Sequence, residues 1–177
     1  MEAAQGRQRQ RRATHAGTWY DADSSKLSGQ IRRWLQRSTK VCNGRVKALI
    51  CPSRVFLLGP SHYKYFPGVA LPADKCNSYL TPLGDLPLDS EAIQALRLTG
   101  AFAELSFSED EEEHSIELML PFLRHVFKED VKIVPMVVGD LRGRDDCQKF
   151  ADLLLKYFLE ERSLFIISSD FCHWGPR

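Results

Sequence analysis

The sequence predicts an α/β protein, a three-layer sandwich around a mostly parallel sheet. Three observations carry this. Four short apolar runs, at 46–50, 55–58, 131–138 and 164–167, barely alternate between apolar and polar, as strands covered on both faces do. Stretches with apolar residues at helical spacing lie along the same chain. The length, 177 residues, is that of one domain, and helices among continuous apolar strands pack as layers about a sheet.

The first helix is expected over about 23–37, where Leu27, Ile31, Trp34 and Leu35 recur at helical spacing and Asp23 or Ser24 can cap. Asp89 opens a second, carrying Ile93 and Leu96, and Gly100 is placed to end it in a left-handed conformation. A third spans about 112–127, with Ile116, Leu120, Leu123 and Phe127 on one face; Pro121 must kink or split it. The fourth covers about 145–160 through Cys147, Phe150, Leu154 and Phe158, and Asp145 with Gln148 resembles a capping box. Among the strands, Pro135 cannot donate to a ladder, so the third run is expected at an edge or at a bulge.

Hydrophobic residues make up 44% and charged residues 27% of the chain, with a formal net charge of +1. That balance gives no electrostatic reason to expect nucleic acid as a partner, and no apolar run reaches the roughly 18 residues of a membrane-spanning helix. Arg7, Arg9, Arg11 and Arg12 sit among Gln, Ala and Gly, and residues 1–12 are expected to form a disordered basic tail ahead of a single domain at 13–177. Five cysteines, Cys42, Cys51, Cys76, Cys147 and Cys172, are an odd number without C-x-x-C spacing. This argues against a zinc module and a disulfide framework, so a reducing compartment is expected, with the cytosol as the location.

One junction is irregular. Only Cys51, Pro52, Ser53 and Arg54 separate the runs 46–50 and 55–58, whereas parallel neighbours need a crossover of about a dozen residues or more. Either the two strands form a tight hairpin or a crossover is missing.

Chemistry in open α/β sheets gathers beyond the carboxyl ends of the strands. Run 55–58 leads into Gly59-Pro60-Ser61-His62, and run 164–167 into Ser168-Ser169-Asp170-Phe171-Cys172-His173-Trp174-Gly175. If both strands are parallel, His62, Asp170 and His173 share one edge. Neutral imidazole is a common metal ligand, and Asp170 can orient His173 by a hydrogen bond. Against this stands the plainer reading of each histidine as a satisfied loop residue. Cys172 reads as a thiolate ligand or, more simply, as a buried thiol. His114 and Glu117, three apart, read as a surface contact on one helical face, and the acidic run 109–113 as a solvated helix start. His125 has no partner in sequence and is expected to be exposed. His15 precedes the first helix, and Trp19 and Tyr20 are expected to cover core.

Four motifs occur in a fixed order: His15-Ala16-Gly17-Thr18-Trp19-Tyr20; Gly59-Pro60-Ser61-His62; Glu113-His114-Ser115-Ile116-Glu117 with Leu120-Pro121-Phe122; and Ser168 to Gly175. In that order they resemble the MEMO family, as do Val134-Pro135 and Val138-Gly139. The resemblance implies a fold like that of the class III extradiol dioxygenases, with a pocket for iron or copper. It further implies a redox-linked or signalling role in receptor-driven cell motility, with a phosphorylated receptor peptide or a signalling protein as partner. By position, His62 resembles a metal ligand and His173 the general base; Asp170 lines the same pocket, His114 and Glu117 support it, and Trp19 stands at its mouth.

Two departures bear on this. The family's Pro-His-Ala-Gly-Tyr segment and its following helix, which supply a second metal-ligating histidine, are absent where Cys51-Pro52 passes into Ser53-Arg54. The resemblance also implies a continuation beyond Arg177 that supplies a cysteine as third ligand. The domain is therefore expected to be internally deleted near 52–53 and truncated, with two of three ligands missing and metal binding weak. Three readings follow: an impaired metal-dependent redox protein, a non-catalytic peptide-binding adaptor anchored by Trp19, or a chain that does not fold alone.

Overall fold

A computed structural model describes residues 9–38, 52–127 and 131–170. Two sheets organise them. A small sheet has the order β1-β4-β5, formed by β1 (Arg9–Arg11), β4 (Cys76–Tyr79) and β5 (Leu86–Pro87). The main sheet has five strands: β2 (Arg54–Pro60), β3 (Val69–Leu71), β6 (Ala103–Glu104), β7 (Lys132–Val138) and β8 (Ser163–Ile167), in the order β6-β3-β7-β2-β8. β2 runs parallel to both β7 and β8, β3 runs parallel to β6, and only the β3–β7 pair is antiparallel. The α/β class with a mostly parallel main sheet agrees with the sequence. Both flanks of β2 are taken, by β7 and β8; the run 46–50 lies outside the described residues.

Residue parity separates the faces of the main sheet. Phe56 stacks on Phe165 of β8 at 4.6 Å and packs on Tyr157 at 5.0 Å, so this face is covered by α5 (Arg144–Phe158). The opposite face carries Gly59, where an added Cβ would lie 2.6 Å from Ser115 Oγ and 3.1 Å from Ile116. Only glycine lets segment 113–116 approach the strand this closely. That segment continues through a 3₁₀ turn, Glu117–Met119, into α4 (Leu120–Phe127), on which α1 (Ser24–Arg37) packs. Val55, Phe56, Leu57, Ile133, Val134 and Met136 are all buried between the layers. Each such fully buried large side chain contributes roughly 1.5–3 kcal/mol.

The first two helices start where the sequence places them. Asp23 caps α1 by accepting from Lys26 N–H, and Asp89 caps α2 (Ser90–Arg97) by accepting from Ala92 N–H. Gly100 follows α2 with φ 68°. The third helix differs from expectation. Instead of one helix over 112–127 there are α3 (Phe107–Glu112), an extended break at Glu113, the 3₁₀ turn and α4. A capping box of Ser106 and Glu109 starts α3, and Pro121 sits in the first turn of α4, where its missing N–H costs nothing. The fourth helix is present, but its capping box is not. Gly143 stands at the N-cap without a side-chain bond, Asp146 accepts from Arg142 N–H, and Gln148 donates to Asp152.

Pro135 is neither at an edge nor at a bulge. β7 is internal, and its register with β2 is unbroken, Leu57 opposite Pro135. Ile133 C=O accepts from Asp89 N–H on the side away from β2, and Pro135, two residues on, turns the same way. The β3 ladder on that side reaches only Val137, so no hydrogen bond is lost.

Of the expected basic tail, residues 9–11 form strand β1, parallel to β4, and Arg11 is fully buried. Burial of a guanidinium requires paired carboxylates; the acidic run supplies one of them, Asp110, and Asp110 and Glu113 are both buried rather than solvated. Cys76 and Cys147 are free thiols. Among the described residues, no helix is long and apolar enough to cross a membrane.

Candidate functional site

The site lies beyond the carboxyl ends of β2 and β8, where parallel pairing brings two loops together. His62 follows β2 and Asp170 follows β8; His62 Nε2 lies 2.8 Å from Asp170 Oδ2. The expected meeting of these two is observed, while His173 and Cys172 lie outside the described residues. The other nitrogen, His62 Nδ1, lies 3.0 Å from Glu113 Oε1. His62 is thus held between two carboxylates. Partial burial disfavours its charge, but its hydrogen bonds to Glu113 and Asp170 outweigh this and raise its pKa above the ordinary histidine value of 6.5.

Glu113 anchors the loop as well as the ring. Its Oε2 accepts from His62 N–H at 2.6 Å and Tyr63 N–H at 3.3 Å, and its Oε1 from His114 N–H and Ser115 N–H, both at 2.9 Å. Burial opposes its charge, but these backbone donors and the His62 ring prevail and lower its pKa from 4.5 to about 2.

His114 and Glu117 do not touch as a surface pair. The backbone between them is not a regular helix, and they turn to different partners. The His114 ring stacks on His62 at 4.2 Å between centroids and packs against Trp19 at 4.5 Å. Desolvation, then the neighbouring His62 charge, lower its pKa and favour neutral imidazole. Glu117 is fully buried. It accepts from His15 N–H at 2.8 Å, the Tyr20 hydroxyl at 2.9 Å and Arg11 Nη1 at 2.7 Å, with His15 Nδ1 at 2.9 Å. Burial works against its charge; Arg11 and the His15 bonds win and hold the carboxyl below the usual range. Glu117 therefore fixes loop 14–20, which carries Trp19 to the site. His15 packs edge-on against both Trp19 and His114.

Arg11 completes this arrangement from the N-terminal side. It donates to Asp110 Oδ1, Glu117 Oε2 and the carbonyls of Asp110, Arg12 and Glu113. Burial disfavours its charge, but Asp110 and its other neighbours keep its pKa raised.

Trp19 does not cover core: it is 58% exposed and lines the mouth of a cavity of about 620 Å³. His62, His114 and Asp170 line the polar end, and Met119, Phe122 and Leu123 belong to the apolar wall. His125 is half-buried on the α1 side, 3.4 Å from Ser28 Oγ, rather than exposed.

One ligand atom each from His62, Glu113 and His114 lie within 4.8 Å of one another, so a His/Glu cluster able to hold a metal is present. The donors do not fit equally well. Both Glu113 oxygens are engaged by backbone N–H groups, which makes Glu113 a clamp. His62, His114 and Asp170, two imidazoles and a carboxylate, face one cavity.

His62 and Asp170 are legible in the sequence because each follows a predicted parallel strand. Glu113 lies in a run that reads as solvated, and nothing in the spacing of His15 or Arg11 marks a role. A carboxylate placed to accept four backbone N–H groups has no signature in residue spacing. Nor does a guanidinium that crosses from a terminal strand.

The family profile described as Memo-like protein matches residues 52–177. Protein MEMO1 of Danio rerio is 39% identical over 194 aligned positions, covering 94% of this chain and 64% of the relative. Protein MEMO1 of Homo sapiens is 36% identical over 192, with the same coverages. The memo-1 homolog of Caenorhabditis elegans is 38% identical over 191, covering 94% of this chain and 53% of its own length. The chain thus spans less than two thirds of these relatives. In the Danio rerio alignment, 94% of 177 residues is about 166 residues, spread over 194 positions; roughly 28 positions have no residue here.

Proposed function

This chain belongs to the Memo-like protein family, and from that premise we propose that it is a metal-pocket protein, holding iron or copper weakly and linked to redox signalling in cell motility. The observation that carries this is the cluster of His62, Glu113 and His114, with His62, His114 and Asp170 lining one cavity. In this reading His62 and His114 donate imidazole nitrogens, Asp170 leaves His62 to donate an oxygen, and Glu113 holds the His62 loop in place. A bound iron or copper would supply one-electron chemistry. The chain's own residues exclude water along the apolar wall, and His173 handles protons. Binding is weak because the proposed deletion near 52–53 removes a further histidine. A cytosolic location accords with the free thiols.

The test is thermal unfolding of the anaerobic chain with Fe(II) or Cu(I). A ligand at 100 times its dissociation constant stabilises by about 2.7 kcal/mol, or roughly 5–11 °C for a chain of this size. The expected result is a cooperative transition raised by one of the metals and returned to baseline in both His62→Ala and His114→Ala. No shift with either metal, or a shift in both variants as large as in the unmodified chain, would refute the site. Absence of a cooperative transition would favour the non-folding reading.

A second reading rests on Trp19, whose exposed ring at the cavity mouth is a suitable anchor for a phosphorylated receptor peptide or signalling protein. Peptide binding abolished by Trp19→Ala but unaffected by His62→Ala would favour an adaptor without catalysis.

A further inference from the structure

Ser108 is exposed and stands directly before five consecutive acidic residues, Glu109-Asp110-Glu111-Glu112-Glu113. Asp110 and Glu113 are buried, whereas Glu112 is exposed and Glu109 and Glu111 are half-buried. The carboxylates left to solvent are therefore those one, three and four residues after the serine. Glu109 is paired with Lys64 at 2.6 Å and Glu111 with Arg12 at 2.7 Å. Pairs at the surface hold weakly, so the basic groove of another protein can take the place of Lys64 and Arg12.

Two serines adjoin this run, and their surroundings differ. Ser106 Oγ is committed to α3: it accepts from Glu109 N–H, and the Glu109 carboxylate accepts from Ser106 N–H in return. Ser108 Oγ has one contact among the described residues, with Ser106 Oγ at 3.2 Å. Cations stand on its other side. Ser108 lines a cavity of about 690 Å³ together with Arg9, Arg12 and Glu111. The Arg9 guanidinium lies 4.6 Å from the ring centre of Phe107, the residue before Ser108, and Arg9 forms no ion pair among the described residues.

We propose that Ser108 is a phosphorylation site for a serine kinase that reads acidic residues after its target, and that Arg9 and Arg12 receive the phosphate. In the transfer, Ser108 Oγ forms a bond to the γ-phosphorus of ATP while the bond from that phosphorus to the β,γ-bridging oxygen breaks. ADP leaves with that oxygen, and the hydroxyl proton passes to the catalytic carboxylate of the kinase. The new group carries a charge of about −1.5 to −2 and three acceptor oxygens, which suit guanidinium donors. Arg9 belongs to β1 and donates its N–H to Lys75 C=O, so a phosphate held by Arg9 fastens β1 to α3. Arg11, between the two receiving arginines, is the buried cation that meets Glu117 beneath loop 14–20. Modification of Ser108 thus steadies the strand on which that loop depends.

Incubation of the full chain with magnesium ATP and an acid-directed serine kinase, followed by mass spectrometry of its fragments, tests the site. The expected result is one phosphate per chain, on Ser108, and its loss in Ser108→Ala. Titration of the modified chain by phosphorus NMR tests the two arginines. The acidic neighbours alone would raise the second phosphate pKa above its ordinary value of about 6, whereas guanidinium groups lower it. A value below about 6 is expected, rising in Arg9→Gln, together with slower amide exchange at Arg9 after phosphorylation. No incorporation, or incorporation at Ser106 or elsewhere in place of Ser108, would overturn the site. A phosphate on Ser108 whose pKa lies above the ordinary value, or is indifferent to Arg9→Gln, would overturn the part given to the arginines.

Discussion

Glu113→Gln isolates the clamp beneath the site. The carboxylate accepts four backbone N–H groups, from His62, Tyr63, His114 and Ser115, and contacts the His62 ring. Its pKa falls from 4.5 to about 2, and at about 1.4 kcal/mol per pH unit that fall contributes about 3 kcal/mol at neutral pH. Glutamine keeps one acceptor oxygen but turns an NH₂ group toward the remaining N–H donors, so a loss of that size is expected, or about 6–12 °C in Tm. The pH dependence follows from the depressed pKa. The contribution is complete above about pH 4.5 and disappears as pH falls through about 2. His62 acts in the opposite sense: its pKa is raised, so its ion pair with Glu113 stabilises below pH 6.5 and fades as pH rises through the folded value. The difference between wild type and variant should therefore be largest near pH 5, slightly smaller at pH 8, and nearly absent at pH 2. Urea unfolding at these three values measures it. A difference under about 1 kcal/mol at pH 5, or one that persists at pH 2, would refute the clamp.

Asp170→Asn removes one of the two carboxylates beside His62, and the His62 pKa followed by NMR titration should fall relative to wild type; an unchanged value would mean the 2.8 Å contact does not persist in solution. Arg11→Met leaves Asp110 and Glu117 buried without their cation and is expected to cost about 3–5 kcal/mol in urea unfolding; a loss under about 1 kcal/mol would show that water reaches the pair. Gly59→Ala places a Cβ 2.6 Å from Ser115 Oγ, an overpacking expected to cost about 1–3 kcal/mol and to displace segment 113–116. Its effect should appear in the His114 chemical shifts as well as in Tm, and a variant with wild-type values of both would contradict the close approach.

β2 and β7 were legible because they are buried on both faces and announce themselves as unbroken apolar runs. Once β2 and β8 are parallel neighbours, His62 and Asp170 must meet, and they do. Helix starts at Asp23 and Asp89 were legible for a local reason: an N-cap needs only a short acceptor beside an apolar period. The failures share a different physics. A helix over 112–127 satisfies periodicity, yet a carboxylate with four backbone donors outweighs the helical bonds lost at 113–116. Arg11 resembles a solvated arm by composition, and only the buried Asp110 and Glu117, about a hundred residues away, make its burial favourable. Interactions between distant charges leave no period in the chain.

Those failures converge on one segment. Glu113 and Glu117, four residues apart and each buried, grip two different loops: Glu113 holds 62–63 through their N–H groups, and Glu117 holds 14–20 through His15 and Tyr20. His114 between them stacks with a ring from each loop, His62 and Trp19. Glu113-His114-Ser115-Ile116-Glu117 is thus the piece on which the pocket is assembled, and its carboxylates are occupied with that task. In the proposed reading a metal is held by His62, on one of the gripped loops, by His114 of the segment itself and by Asp170 after β8. Conservative changes in the segment should weaken metal binding by displacing those loops, even though neither glutamate touches the ion. Glu117→Gln is the clearest case: it should lower metal affinity together with the protection of the Trp19 ring from solvent quenching, whereas a loss of affinity with Trp19 undisturbed would mean that Glu117 acts on the metal directly.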